Sequence, residues 1–219
     1  MEREIAKELA LKLKININQI TREYWEMMIL RQISQSKISD FLIFVGGTAL
    51  RLAYASPRFS DDLDFYLKKK FSFTFFKAEI ERIAKTLNLQ ITDLYKKYFS
   101  LLAEFKINVD YLPLPFRIKI EVRKELIKKN FETRLLISPT VNFQVLLYVA
   151  SLEKIKEMKL KALKERKDPR DLFDLWFISQ KLKIPFQPPK VEIDQKFLKQ
   201  TLYKYLPLDF KKVVENLKK

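Results

Sequence analysis

Only two glycines occur in 219 residues, and they are neighbours, Gly46 and Gly47. Glycine is normally spread among turns and helix ends, because it enters the left-handed backbone region without penalty. A chain that dispenses with it elsewhere and keeps a pair at one point needs backbone freedom, or close backbone approach, at that point. The preceding residues, Phe41-Leu42-Ile43-Phe44-Val45, are a short continuous apolar run typical of a buried strand. Thr48 to Tyr54 then follow a helical pattern through Ala49, Leu50, Leu52 and Ala53. Strand, glycine pair and helix in succession can present backbone N–H groups of a helix N-terminus to a phosphate. The same succession can also be a plain tight turn, and the glycines alone do not separate the two.

A carboxylate pair follows fifteen residues after Gly47, in Asp62-Leu63-Asp64, at the start of an expected strand over 63–67. Residues i and i+2 of a strand point to the same side, so Asp62 and Asp64 aim one way. Two adjacent carboxylates repel unless a cation stands between them. A solvated turn is the alternative, and Asp61 fits it well. A third metal-binding carboxylate is expected at Glu121, which lies in the strictly alternating strand Phe116 to Val122; Asp110 is its rival.

The metal can be narrowed by what is missing. The chain has no Cys and no His. That excludes disulfides, thiol catalysis and sulfur-ligated zinc, and it removes the commonest general base. A metal must be held by oxygens, which favours Mg²⁺ or Mn²⁺. The formal net charge of +16, from 43 Lys and Arg against 27 Asp and Glu, predicts attraction to polyanions such as RNA. These bases are spread along the whole chain, so they mark no single patch. A hydrophobic content of 47% including 18 Phe indicates a folded core. No apolar run approaches the roughly 20 residues that span a bilayer. The first fourteen residues alternate acids and bases and do not read as a signal peptide, so a cytoplasmic location without membrane attachment is expected.

The coarse order is helices over 2–14 and 18–35, with Ile5, Leu9 and Leu13 striping the first, then the strand, glycine pair and helix. After a turn at Ser56-Pro57 come the strand at 63–67, a helix over 73–87, strand-like residues around 98–112, and the strand at 116–122. Residues 131–150 allow one or two strands. From Ser151 the pattern is helical, broken at Asp168-Pro169, at 185–189 and near Pro207. The expected fold is α+β, a mixed sheet with flanking helices over 1–138 and a mainly helical lobe over 139–219.

Two segments together resemble a known family. Val45-Gly46-Gly47-Thr48-Ala49-Leu50 with Arg58-Phe59-Ser60-Asp61-Asp62-Leu63-Asp64-Phe65 is similar to the opening motif of AbiEii/MenT-type nucleotidyltransferase toxins, which belong to the DNA polymerase β-like nucleotidyltransferase superfamily. Lys159-Leu160-Lys161-Ala162-Leu163, Arg166 and Pro169-Arg170-Asp171-Leu172-Phe173-Asp174-Leu175 resemble the second motif, with Met158 where a Glu often precedes the lysine. The resemblance implies a catalytic set of Asp62, Asp64, Lys159 and Asp171. It implies nucleotide binding by Gly46, Gly47, Thr48, Ser60 and Lys159. It further implies a nucleoside triphosphate substrate, an RNA acceptor (often the 3′ end of tRNA), and a toxin of a toxin–antitoxin or phage-defence system with a cognate antitoxin. A small-molecule nucleotidyltransferase of the antibiotic-modifying kind is an alternative, though a cationic acceptor suits a charge of +16 poorly. A non-catalytic nucleotide- or RNA-binding protein is another, against which the intact Asp62 and Asp64 argue.

The second motif also has a physical reading of its own. Lys159 is four residues from Ile155 and from Leu163, so it lies within an apolar stripe. An inward lysine wants an anion, and a triphosphate is the expected one; a snorkelling surface lysine is the bland alternative. Asp171 either orients Lys159 or the acceptor, or serves a helix-capping box opened by Asp168 and Pro169.

Overall fold

The computed structural model describes residues 1–217. Two helices open the chain, α1 (Arg3–Leu13) and α2 (Ile17–Ser34), followed by a 3-10 turn over Lys37–Phe41. The central run is β1 (Leu42–Val45), α3 (Gly46–Tyr54), β2 (Asp62–Leu67), α4 (Phe73–Leu87), β3 (Gln90–Lys96), β4 (Ser100–Ile107), β5 (Phe116–Leu126), β6 (Phe131–Leu136) and β7 (Val145–Ala150). Helices α5 (Leu152–Arg166), α6 (Pro169–Leu182), α7 (Gln195–Leu202) and α8 (Lys211–Asn216) complete it. The fold is α+β, as the sequence leads one to expect.

All seven strands join one mixed sheet in the order β3-β4-β5-β2-β1-β7-β6. β1 runs antiparallel to β2 and parallel to β7, and β2 runs parallel to β5. All four residues of β1 are buried, as a central strand covered on both faces requires. β2 alternates half-buried with buried residues, putting Asp62, Asp64 and Tyr66 on one face and Leu63, Phe65 and Leu67 in the core. The sheet crosses residue 138: β6 and β7 stand on either side of it and pair as a hairpin, and the helical run starts only at Leu152.

With so little glycine, the chain ends its helices by other means. Lys14, Ala55, Asn88, Lys167 and Lys183 cap the C-termini of α1, α3, α4, α5 and α6 in the left-handed conformation. A side chain there costs roughly 1–2 kcal/mol relative to glycine. The N-termini are capped conventionally: Asn16, Ser72, Ser151 and Asp168 accept backbone N–H bonds at α2, α4, α5 and α6. α3 is different, because Val45 precedes it and offers no side-chain acceptor.

Several local expectations need correction. The inward position of α1 is Ala6, with Leu9 and Leu13 packed beside it, whereas Ile5 is 48% exposed. The strand-like stretch 98–112 resolves into a turn, β4 and a loop. β3 has no counterpart in the sequence reading, and residues 131–150 form two strands. Among the described residues no helix is long and apolar enough to cross a membrane.

Candidate active site

The glycines stand where a Cβ would not fit. Gly46 has φ +82°, and a Cβ built on it would lie 2.7 Å from Asp64 Oδ2. A Cβ on Gly47 would collide with the Arg58 guanidinium and lie 2.6 Å from Ser60 Oγ. The pair therefore lets the start of α3 lie flush against β2 and the segment leading into it. Gly46→Ala meets two penalties, a left-handed backbone and the Asp64 carboxylate. It should lower stability by about 1–2 kcal/mol and reduce activity further by displacing Asp64; unfolding curves and initial rates on one preparation check both.

Thr48 ties the same turn down, since its buried hydroxyl donates to the Asp62 carbonyl at 2.6 Å. That hydroxyl is thus committed to β2, leaving Thr48 its backbone N–H for any ligand. Ser60 lies against Gly47, two residues before Asp62.

Asp62 and Asp64 share a face as their spacing requires, and the parallel pairing with β5 sets Lys119 beside Asp62 and Glu121 beside Asp64. Lys119 Nζ is 3.0 Å from Asp62 Oδ2 and 3.7 Å from Glu121 Oε2. An ammonium thus occupies the space between two of the carboxylates. Asp110 lies elsewhere: it is exposed in the β4–β5 connection, accepts from the Tyr111 N–H, and borders a surface pocket with Met1 and Arg3.

Burial pushes the Asp64 carboxyl up to about 6, reinforced by the negative charge of Asp62 and opposed by Lys119 and Lys159. The groups fit a divalent cation in chemistry: hard oxygens, two on one strand and a third in register on the next, with a surplus of negative charge at Asp64. Among the described residues no three acids already converge as a closed metal cage. Without metal, the raised Asp64 value means that the folded state holds its proton more tightly than the unfolded chain does. Its contribution to stability therefore falls as pH rises from about 4 to about 6. Thermal midpoints across that range should show a downward component in the wild type that Asp64→Asn lacks.

The second motif forms a buried charge network. Lys159 is 8% exposed between Ile155 and Leu163 on the inner face of α5. Its Nζ lies 2.9 Å from Asp171 Oδ1 and 2.6 Å from Asp174 Oδ2. Arg166 holds Asp171 from the other side, Nε to Oδ2 at 2.7 Å and Nη2 to Oδ1 at 2.9 Å. Arg58, 2% exposed, grips Asp174 through two bonds of 2.7 and 2.8 Å and donates to the Phe59 carbonyl. Burial alone would raise the Asp171 carboxyl, but its hydrogen bond from Arg166 and the charge of Lys159 outweigh that and hold it below the usual range. For Asp174 burial is likewise outweighed by Arg58 and Lys159.

Two expectations change here. Lys159 does not face an empty anion site: two carboxylates of α6 neutralise it, so its removal is not free in the resting protein. Capping falls to Asp168, whose carboxylate accepts from the Arg170 N–H at 2.8 Å, while Asp171 is committed to Lys159 and Arg166. Asp171 is fully buried and holds Lys159 in place. The sequence reading missed Arg58, Asp174 and Lys119 as parts of the site. Asp174 did carry a signal, being an acid in an otherwise apolar stretch from Leu172 to Ile178.

The network joins the two halves of the site. Arg58 packs against Gly47 and grips Asp174, Asp174 binds Lys159, and Gly46 lies against Asp64. Glycine turn, paired carboxylates and buried lysine are thus one assembly.

Comparison with known proteins bears on the fold and the family. Two solved structures share the fold: JHP933 from Helicobacter pylori, and an H. pylori protein described as a candidate nucleotidyltransferase. Each is 20% identical with a TM-score of 0.56, and each match covers 76% of this chain, with 68% and 70% of the respective other chains. No curated protein sequence matches the chain. A family model described as nucleotidyl transferase AbiEii toxin, type IV toxin–antitoxin system, matches residues 28–213, which include both motifs. The chain belongs to the AbiEii nucleotidyltransferase toxin family and is a nucleotidyltransferase.

Proposed function

We propose that this nucleotidyltransferase depends on Mg²⁺ or Mn²⁺ and transfers a nucleoside monophosphate from a triphosphate to RNA, with the 3′ end of tRNA as acceptor. The observation that carries the metal dependence is the Asp62–Asp64 pair with Glu121 in register beside it. These carboxylates would hold a divalent cation, which would supply positive charge to the phosphate and the attacking oxygen. Gly46, Gly47 and Thr48 offer backbone N–H groups to the phosphates at an α3 terminus that no side chain caps. Ser60 lies beside that terminus and donates its hydroxyl to the same phosphates. Lys159, held by Asp171 and Asp174, places a fixed positive charge near Asp64.

In the step itself the acceptor hydroxyl oxygen bonds to the α-phosphorus. The bond from that phosphorus to the α–β bridging oxygen breaks, and pyrophosphate leaves. The hydroxyl proton passes to a carboxylate of the set, because the chain has no histidine.

The net charge of +16 favours a polyanionic acceptor over a cationic small molecule. Its action lies in the cytoplasm, where triphosphates and RNA are found, and a cognate antitoxin restrains it. Incubation with each α-labelled triphosphate, Mg²⁺ or Mn²⁺ and total RNA tests the reading. Label on RNA, abolished by chelator, is expected. Label on small molecules alone would move the acceptor to another class, and label on nothing would leave a binding protein.

A further inference from the structure

Three aromatic rings stand in solvent at one corner of the sheet. Tyr95 at the end of β3 is 40% exposed, and Tyr98 and Phe99 in the turn to β4 are 85% and 77% exposed. They form a group: Tyr98 and Phe99 meet edge to face at 4.5 Å, and Lys97 Nζ lies 5.4 Å from the Tyr95 ring. The turn that presents them is pinned. Lys97 N–H donates to the Ser100 carbonyl at 2.8 Å and Lys124 N–H to the Phe99 carbonyl at 2.9 Å, while Lys124 Nζ donates to the carbonyls of Lys97 and Tyr98. Rings of this size held in water on a fixed turn mark an interaction surface, not a packing accident.

Sheet register places this corner on the same face as the carboxylates. Asp64 is level with Glu121 on β5, Glu121 with Leu102 on β4, and Leu102 with Tyr95 on β3. Cross-strand partners share a face, so Tyr95 stands on the Asp64 side three strands away, about 14 Å at ~4.8 Å per strand. The neighbouring row carries Arg123, which is exposed. The corner is also basic. Lys97 is exposed in the turn, and residues 123–129 hold four bases against one acid, Glu125.

We propose that this corner is a stacking platform for single-stranded RNA. Tyr95, Tyr98 and Phe99 take base faces, while Lys97 and Arg123 take phosphates. The strand then runs from these rings past the exposed Arg123 toward Asp62 and Asp64. Aromatic faces interleaved with cations are what a single strand recognises without regard to sequence, and a duplex keeps its base faces stacked away from such rings. The proposal deepens the RNA-acceptor reading given above and rests on it.

The test uses the full chain and a labelled single strand of about 12 nucleotides, within the span such surfaces bind, alongside the same sequence as duplex. Wild type is compared with Tyr98→Ala/Phe99→Ala and Tyr98→Trp/Phe99→Trp, whose exposed positions leave the thermal midpoint unchanged. The alanine pair should weaken single-strand affinity about 10-fold or more and raise KM for RNA with little change in kcat. The tryptophan pair should restore both, and duplex binding should change little. Unchanged single-strand affinity in the alanine pair would overturn the platform and leave the rings to a protein partner. Equal loss on single strand and duplex would also overturn it, since charge alone would then account for binding. The two readings fail separately. A wild type that moves no nucleotide to RNA, yet binds single strands through these rings, keeps the platform and loses the transfer. A wild type that transfers, with an alanine pair of unchanged KM, loses only the platform.

Discussion

Asp62→Asn and Asp64→Asn each abolish nucleotidyl transfer, by at least about 10³-fold, the scale expected when charge stabilisation of a phosphoryl transition state is removed. Both substitutions keep the side-chain shape and delete one negative charge, so the loss reports on cation binding and not on packing. Stability should move little. The Lys119 partner of Asp62 is part-exposed, and such surface pairs are worth about 0–1 kcal/mol. For Asp64 the sign reverses: burial beside Asp62 makes its ionised form unfavourable, so Asp64→Asn should leave the metal-free thermal midpoint at neutral pH unchanged or higher. Initial rates with α-labelled triphosphate and midpoints with and without Mg²⁺ decide it. The wild-type midpoint should rise with metal and those of the variants should not. Either variant retaining full activity would remove the metal assignment.

Lys159→Met destabilises the resting protein by about 1.5–3 kcal/mol, because Asp171 and Asp174 each lose a charged donor while each keeps its arginine. Here the remainder would be two fully buried carboxylates, Asp171 and Asp174, with Arg166 and Arg58 as their remaining cations. The sequence taken alone suggests the opposite, an inward lysine waiting for nucleotide whose loss costs nothing. Asp171→Asn is the milder change, since an amide oxygen still accepts from Arg166 or Lys159. If Asp171 positions Lys159 for the triphosphate, it should nonetheless lower the rate about 10²-fold, well beyond its effect on denaturant midpoint. A full-rate Asp171→Asn enzyme would reduce the network to a structural device.

What could be read ahead of the structure was whatever chemistry sat in short segments. The glycine pair, the Asp62–Asp64 spacing and the inward face of Lys159 all follow from periodicity within a few residues. The Arg58–Asp174 bond joins positions 116 apart, and no local pattern reports it; only an acid alone in an apolar helix pointed to a missing cation. β3 escaped because it is an edge strand, exposed along much of its length, so its residues show no clean alternation. β6 and β7 were blurred for the opposite reason. Leu135 and Leu146 face solvent at 48% and 55% exposure, filling the polar half of the pattern with apolar residues. Lys119, read only as one polar position in an alternating strand, gains its meaning from the β2–β5 register that sets it against Asp62.

The most direct test of metal-dependent transfer to RNA places the label first at the α-phosphate and then at the γ-phosphate of the same triphosphate. With Mg²⁺ or Mn²⁺ and RNA, α-label should enter the RNA, γ-label should be recovered wholly in pyrophosphate, and the two should match mole for mole. Each labelled RNA should gain mass equal to a nucleoside monophosphate at its 3′ end. Transfer of the γ-label to RNA, or α-label incorporation that persists in full after chelation or in Asp64→Asn, would contradict the account.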